Sequence, residues 1–168
     1  MKAYRLCSPW NKPWDATGAF RRGGRWNSPG VAVLYAASSI SLACLEILVH
    51  LVDTTIIPEF VYSEIQMPDV LVQPWNENLS RTEAILASNV LSREFGDFWC
   101  KRITMGDSLS SRDGMKVVQQ VPSAVVPPEW NYLINPDHPD FRQLSWSEPK
   151  VPNRPSLNRP ITSVTRLP

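Results

Sequence analysis

At 168 residues, with 43% hydrophobic and 20% charged side chains, the chain is long enough for one domain with a real core and is ordinary in composition for a globular protein. A net charge of +1 supplies no global field, which argues against general nucleic-acid or membrane-surface binding. Three widely separated cysteines (Cys7, Cys44, Cys100) and two histidines (His50, His138) give neither a disulfide framework nor a zinc cluster, and no metal is expected.

The N-terminus, MKAYRLCSPW, lacks the apolar stretch of a signal peptide. No apolar run approaches the ~20 residues of a membrane span, so a soluble, cytoplasmic protein is expected. The charge is unevenly spread: 13 basic and 15 acidic residues precede Ser145, whereas the rest carries Lys150, Arg154, Arg159 and Arg166 against Glu148.

In chain order, Ala3 to Leu6 reads as a first strand ended by Ser8-Pro9, and Trp10 to Thr17 as a loop broken by Pro13. Gly18 to Gly30 is a glycine-rich, hairpin-like segment, and Val31 to Ala37 is an apolar run of strand length. Ser38 and Ser39 can N-cap a helix whose apolar positions Ile40, Ala43, Cys44, Ile47, Leu48 and Leu51 keep helical spacing. With Leu42, Leu45 and Val49 also apolar, that helix is expected to be buried. At about 100° per residue, Ser39, Glu46, His50 and Asp53 fall in one narrow polar sector of it.

Glu59 to Met67 alternates as a strand, and Pro68 to Asn78 is a loop. Ser80 to Lys101 reads as helical, with Ser80 as N-cap, Glu83 in capping-box position and Gly96 as the expected break. Ser108 to Gly114 is a polar loop, Met115 to Val121 a strand, and Asn131 to Ile134 the expected last strand. From Ser145 onward, Pro149, Pro152, Pro155, Pro160 and Pro168 punctuate polar residues without periodicity. The expected organisation is therefore a domain over residues 1–144 and an extended or disordered tail over 145–168.

Several residues carry chemical potential. In Gly23-Gly24-Arg25-Trp26-Asn27, paired glycines let the backbone approach a ligand. Arg25 offers a planar fork matched to phosphate oxygens, and Trp26 a flat ring face. A hairpin with a surface arginine explains the same residues. The order strand–GxGxxG–helix is absent, so no dinucleotide fingerprint is present. A carboxylate such as Glu46 on an apolar helix must be paired, either structurally or as the group that offsets a cationic transition state. Taken alone, Tyr35 is explained by core packing, and Ser123 by a turn or cap. No GxSxG elbow surrounds Ser123, so a hydrolase triad is not expected. Asn135-Pro136 and His138-Pro139 read as turn punctuation. His50 is a candidate base or a satisfied core histidine.

Together, "GGRWNSPG", "LYAASSISLACLEILVH" and "VPSAVVPPEWNYLINPDHPDF" resemble the RES domain proteins, named for Arg, Glu and Ser, over roughly Tyr4 to Phe141. The resemblance implies a mixed α/β (α+β) single domain similar to the ADP-ribosyltransferase toxins, with curved sheets, flanking helices and a central cleft. It implies a bacterial toxin of a toxin–antitoxin pair that depletes NAD⁺ by cleaving its nicotinamide–ribose bond, through phosphorolysis or hydrolysis. NAD⁺ is then a substrate and inorganic phosphate a co-substrate, with no resident cofactor.

The implied partner is an Xre-type helix-turn-helix antitoxin, with a homodimer of the toxin inside the complex. Protein ADP-ribosylation is the alternative activity, and a non-catalytic binding module the second. Matched motif to motif, the family's catalytic positions fall on Arg25, Tyr35, Glu46 and Ser123, with Gly24, Trp26, Asn27 and Asn135 expected to bind substrate. Arg25 is expected to grip phosphate and Tyr35 or Trp26 to pack near nicotinamide. Glu46 is expected to orient ribose hydroxyls and offset positive charge, and Ser123 to orient substrate rather than attack.

Overall fold

In the computed structural model, which describes residues 1–49, 59–104 and 115–152, the chain runs β1 (Lys2–Cys7), α1 (Thr17–Arg22), β2 (Leu34–Ala37), α2 (Ile40–Leu48), β3 (Val61–Gln66), β4 (Val72–Gln73), α3 (Leu79–Ala87), α4 (Asn89–Thr104), β5 (Val118–Pro122), β6 (Trp130–Ile134) and β7 (Ser145–Trp146). The seven strands form one sheet in the order β4-β5-β6-β2-β1-β3-β7, flanked by helices. Every pairing is antiparallel except β4 with β5. The expected mixed α/β class holds, with the strands united in a single sheet.

Period-two alternation places neighbours on opposite faces. Leu34 and Ile134 pack with Ala3, Ile65, Met67 and Val118 in one core. Val33 and Leu133 pack with Trp26, Ile85, Trp99 and Val121 in the other. A third, small cluster of Ala37, Leu42 and Ala43, with Leu6 and Val126 against it, seats α2 on the sheet.

Several local expectations are corrected. Gly18 to Gly30 is not a hairpin: α1 occupies its first half and ends at Gly23, whose φ of 72° is in the left-handed region. Helix α2 starts as expected, with Ser39 Oγ accepting from the Leu42 N–H at 3.0 Å, but it is not buried all round. Only Leu42 and Ala43 are buried on it, while Leu45 is 41% and Val49 55% exposed, so the helix lies on the sheet with one face outward. Its expected extension through His50, Leu51 and Asp53 falls outside the described residues, as does the loop from Ser108 to Gly114.

The long helix is two helices. It breaks at Ser88 rather than Gly96, and its cap is Asn78, whose Oδ1 accepts from the Arg81 N–H at 2.9 Å, rather than Ser80. Gly96 lies within α4 and is a contact point: a Cβ there would collide with the Trp26 carbonyl oxygen. Nor is β6 the last strand. Ser145–Trp146, placed in the tail, pair with Gln66 and Ile65 on β3, and Lys150 bridges to Tyr62. These tail residues are extended, but the sheet edge holds them. Residues 153–168 lie outside the described part.

Candidate active site

A cleft of about 480 Å³ opens where β1, the turn after α1, β2 and α2 converge. Arg5, Arg22, Gly24, Arg25, Tyr35, Glu46 and Asn131 line it. Arg25, Tyr35 and Glu46, three of the four expected catalytic residues, therefore share one cleft. Ser123 lies behind its wall, fully buried, with its neighbour Ala124 on the surface.

Glu46 reaches the cleft because Ser39 caps α2 and the buried Leu42 and Ala43 press that helix onto the sheet. Its Oε1 accepts from Ser123 Oγ at 2.7 Å and from Asn131 Nδ2 at 2.5 Å. Both donors are on the sheet side, at the end of β5 and on β6. Among the described residues no donor reaches Oε2. Ser123 Oγ also accepts from the N–H groups of Val125 and Val126, at 3.0 and 2.9 Å. With its lone pairs so engaged and its proton on Glu46, the hydroxyl orients the carboxylate. The group beside it able to act as a general base is the Glu46 carboxylate, which the same hydrogen bond holds at the cleft wall.

Tyr35 is similarly saturated. Its hydroxyl donates to Asn27 Oδ1 at 2.6 Å and accepts from the Trp26 N–H at 3.0 Å. Burial holds its phenol neutral, well above the ordinary tyrosine range. Gly24 makes this packing possible, since a Cβ there would stand 2.5 Å from the Tyr35 hydroxyl and 2.9 Å from Asn27 Oδ1. The role expected of that glycine, backbone approach to a ligand, is here an approach to Tyr35.

Arg25 ties the cleft rim to the α3–α4 corner. Its Nη1 donates to Asn89 Oδ1 at 3.0 Å and its Nη2 to the Leu86 carbonyl. Its Nε is buried with no partner among the described residues. Three other expectations are moved by the structure. Trp26 borders the cleft but is only 2% exposed, its ring packed edge-on against Trp75 and Phe95 with centroids 6.0 and 5.9 Å away. Asn27 is fully buried and donates to the carbonyls of Ala19, Ser28 and Val31, a clamp on the turn rather than a ligand contact. Asn135 lies outside the cleft, buried, accepting from the Asp137 N–H at 2.9 Å.

Two cleft residues escaped the sequence reading. Asn131 carried one signal, an amide in an otherwise apolar strand, where it is only 9% exposed. Arg5 alternates in β1 like any strand arginine, yet it lines the cleft, and its Nε, Nη1 and Nη2 donate to the carbonyls of Pro13, Tyr35 and Asp15 at 2.6, 3.0 and 3.0 Å. Of the arginines flanking Gly23, Arg22 lines the cleft and Arg21 faces solvent. His138 is a turn residue, its Nδ1 accepting from the Asp140 N–H, and His50 lies outside the described residues. A second cavity of about 550 Å³, bordered by Trp10, Trp14, Phe20 and Asp137, holds none of the expected site residues.

Among the described residues no cluster of His, Cys, Asp and Glu suits a metal ion, and no helix is long and apolar enough to cross a membrane. The RES domain family model matches residues 2–154. A protein of Yersinia enterocolitica called Toxin Res is 37% identical over 134 residues, covering 77% of this chain and 78% of that one. A Sphingobium protein called Prs ADP-ribosylating toxin is 38% identical over 141 residues, covering 77% and 76%. The crystal structure of the M. tuberculosis MbcT–MbcA toxin–antitoxin complex contains a chain of similar fold, with a TM-score of 0.66, 16% identity and coverage of 89% and 82%. With the family model spanning nearly its whole length and relatives this similar, the chain belongs to the RES domain family.

Proposed function

We propose that this protein is the toxin of a toxin–antitoxin pair and that its cleft breaks the nicotinamide–ribose bond of NAD⁺. The observation that carries the reading is the Glu46 carboxylate, held at the cleft wall by Ser123 and Asn131 through one oxygen. As the C1′–N bond lengthens, its electron pair leaves with nicotinamide, which departs neutral. Positive charge grows on the ribose C1′ and ring oxygen. A fixed carboxylate at that point is favourable in proportion to the charge that develops, by about 3 kcal/mol for a well-placed group. The acceptor oxygen then bonds to C1′: an anionic phosphate oxygen does so directly, and a water releases its proton to solvent. The cleft volume of about 480 Å³ falls within the ~300–1,000 Å³ range of small-molecule sites.

The name of the Sphingobium relative supports a second reading, in which a protein side chain accepts the ADP-ribosyl group in the same cleft. The toxin names of the relatives and the toxin–antitoxin complex from M. tuberculosis support an antitoxin partner, for which a helix-turn-helix protein bound to a toxin homodimer is our working assembly.

The test is nicotinamide release from NAD⁺, followed with and without inorganic phosphate and with a lysate protein fraction. Glu46→Gln keeps an oxygen for Ser123 and Asn131 to bond while removing the charge, and is expected to slow release by about 100-fold. Wild-type protein that releases no nicotinamide under any of these conditions refutes the reading, and a fully active Glu46→Gln variant refutes the role of the carboxylate.

A further inference from the structure

The proposed chemistry makes no use of the second cavity, of about 550 Å³. Its walls are aromatic and stand out in solvent: Trp10 is 89%, Phe20 48% and Trp14 46% exposed. Exposed rings gathered at one concavity mark an interaction surface, since each leaves a large apolar area in water. Two carboxylates, Asp15 and Asp137, share the lining with one ammonium, Lys12, which stands 5.9 Å from the Trp14 ring centre. Asp137 is exposed and forms no ion pair among the described residues. Such a site fits an extended ligand with flat apolar rings and positive charge.

The chain carries a segment of that chemistry. Residues 153–168 hold three arginines, three prolines and no acidic residue. The triplet Asn-Arg-Pro occurs twice in them, at 153–155 and 158–160. Proline-rich stretches enter aromatic grooves at low entropic cost, because their backbone is extended before it binds.

The course of the described chain leads towards this cavity. Lys150 pairs with Tyr62, and the neighbouring Val61 pairs with Cys7, three residues before Trp10. Two strand spacings, about 10 Å, separate the line of Lys150 from β1. Three residues add at most about 11 Å. At about 3.1 Å per residue, the segment spans about 50 Å when extended, more than twice the distance needed. Trp146, in β7, already meets Trp14 edge-on, with centroids 6.3 Å apart. The C-terminal part of the chain therefore touches one wall of the cavity before residue 153.

We propose that the aromatic cavity is the docking site of residues 153–168 of the same chain. Proline rings lie on the faces of Trp10 and Trp14, and the arginines face Asp15 and Asp137. Asn11 and Asp15 border both this cavity and the cleft, so the docked segment adjoins the cleft. The inference stands independently of the NAD⁺ reading.

The test is photo-cross-linking in the full-length protein, with benzoylphenylalanine in place of Leu157, between the two triplets. Normal and ¹⁵N-labelled chains are mixed equally, irradiated, digested and mapped by mass spectrometry, with a thermal melt of each variant. Cross-links are expected within one chain, on residues 10–20 and 136–137. Trp10→Ala, which removes an exposed ring, is expected to lower their yield by about fivefold or more. Arg154→Glu with Arg159→Glu puts like charge against Asp15 and Asp137 and is expected to lower it similarly. That pair carries the comparison if Trp10→Ala lowers the melting temperature.

Cross-links spread over the whole surface, or gathered elsewhere on it, overturn the inference. Yields unchanged in both variants do so too. Cross-links that join a normal to a labelled chain at the same residues overturn docking within one chain and assign the surface to a second copy.

Discussion

Replacing Asn131 by Ala tests the cleft at its least conspicuous member. Among the described residues its side chain makes one hydrogen bond, donating to Glu46 Oε1 at 2.5 Å. Its backbone, paired with Ala37 on β2 and Val121 on β5, stays in the sheet when the amide is removed. A hydrogen bond to a charged group contributes about 1.5–3 kcal/mol. If the carboxylate must stand still as the ribosyl cation forms, losing that bond lowers kcat by about 10- to 150-fold. KM changes little, because the contact is with the protein rather than with the substrate.

Ser123→Ala removes the other donor to the same oxygen, at 2.7 Å, and also leaves the N–H groups of Val125 and Val126 without their acceptor. It therefore costs stability as well as rate. Because either loss frees the carboxylate to turn, the second removal adds less than the first, with a coupling of about 0.5–3 kcal/mol. The assay is steady-state nicotinamide release for the two single variants and the double variant, with melting temperatures to confirm folding. A folded Asn131→Ala protein with wild-type kcat refutes the reasoning. A double variant whose rate loss is the full product of the single losses does so as well.

Two further outcomes follow from the packing of Tyr35. Gly24→Ala forces a methyl to within 2.5 Å of the Tyr35 hydroxyl, so it should destabilise the fold by about 1–3 kcal/mol in denaturant titration. Adding Tyr35→Phe should recover part of that loss by removing the clashing oxygen; no recovery would place the strain elsewhere. Burial also keeps the Tyr35 phenol protonated in the fold where the unfolded chain gives up its proton, near pH ~10. Its contribution to stability is thus complete below that pH and falls above it, by up to about 1.4 kcal/mol per pH unit. Tyr35→Phe should decline less steeply than wild type between pH ~9 and ~11; parallel declines would show that Tyr35 is not the group responsible.

The parts of this protein legible in its sequence are those set by local pattern. Strand β1, the Ser39 cap of α2 and the alternation of β3 follow from neighbours in the chain. Arg25, Tyr35 and Glu46 were legible through their motifs, and the sheet brings them to one cleft. What local pattern does not carry is contact between distant segments. Gly96 reads as a helix breaker until Trp26, seventy residues earlier in the chain, comes within reach of its missing Cβ. Trp26 reads as a ligand platform until Trp75 and Phe95 enclose it. Residues 145–150 read as a tail because two paired positions at a sheet edge, Ile65 with Trp146 and Gln66 with Ser145, are too few to leave a periodic signal.

The same long-range contacts decide what chemistry the cleft can perform. The hydroxyls of Ser123 and Tyr35 are the groups that a motif reading would make reactive, and both are saturated, Ser123 by Glu46 and two backbone amides, Tyr35 by Asn27 and Trp26. Tyr35 is also held neutral, so it supplies no phenolate base. Among the described residues, the charged groups of the lining are the Glu46 and Asp15 carboxylates and the three guanidiniums of Arg5, Arg22 and Arg25. Such a set can stabilise opposite charges at two points, a cation near Glu46 and an anion near the guanidiniums. That division suits a bond whose leaving group departs without protonation, between a ribose that becomes cationic and a phosphoryl group that stays anionic. On the proposed reading the charge is in position before the substrate arrives, so the residues that immobilise Glu46 matter to the rate as well as the charge itself.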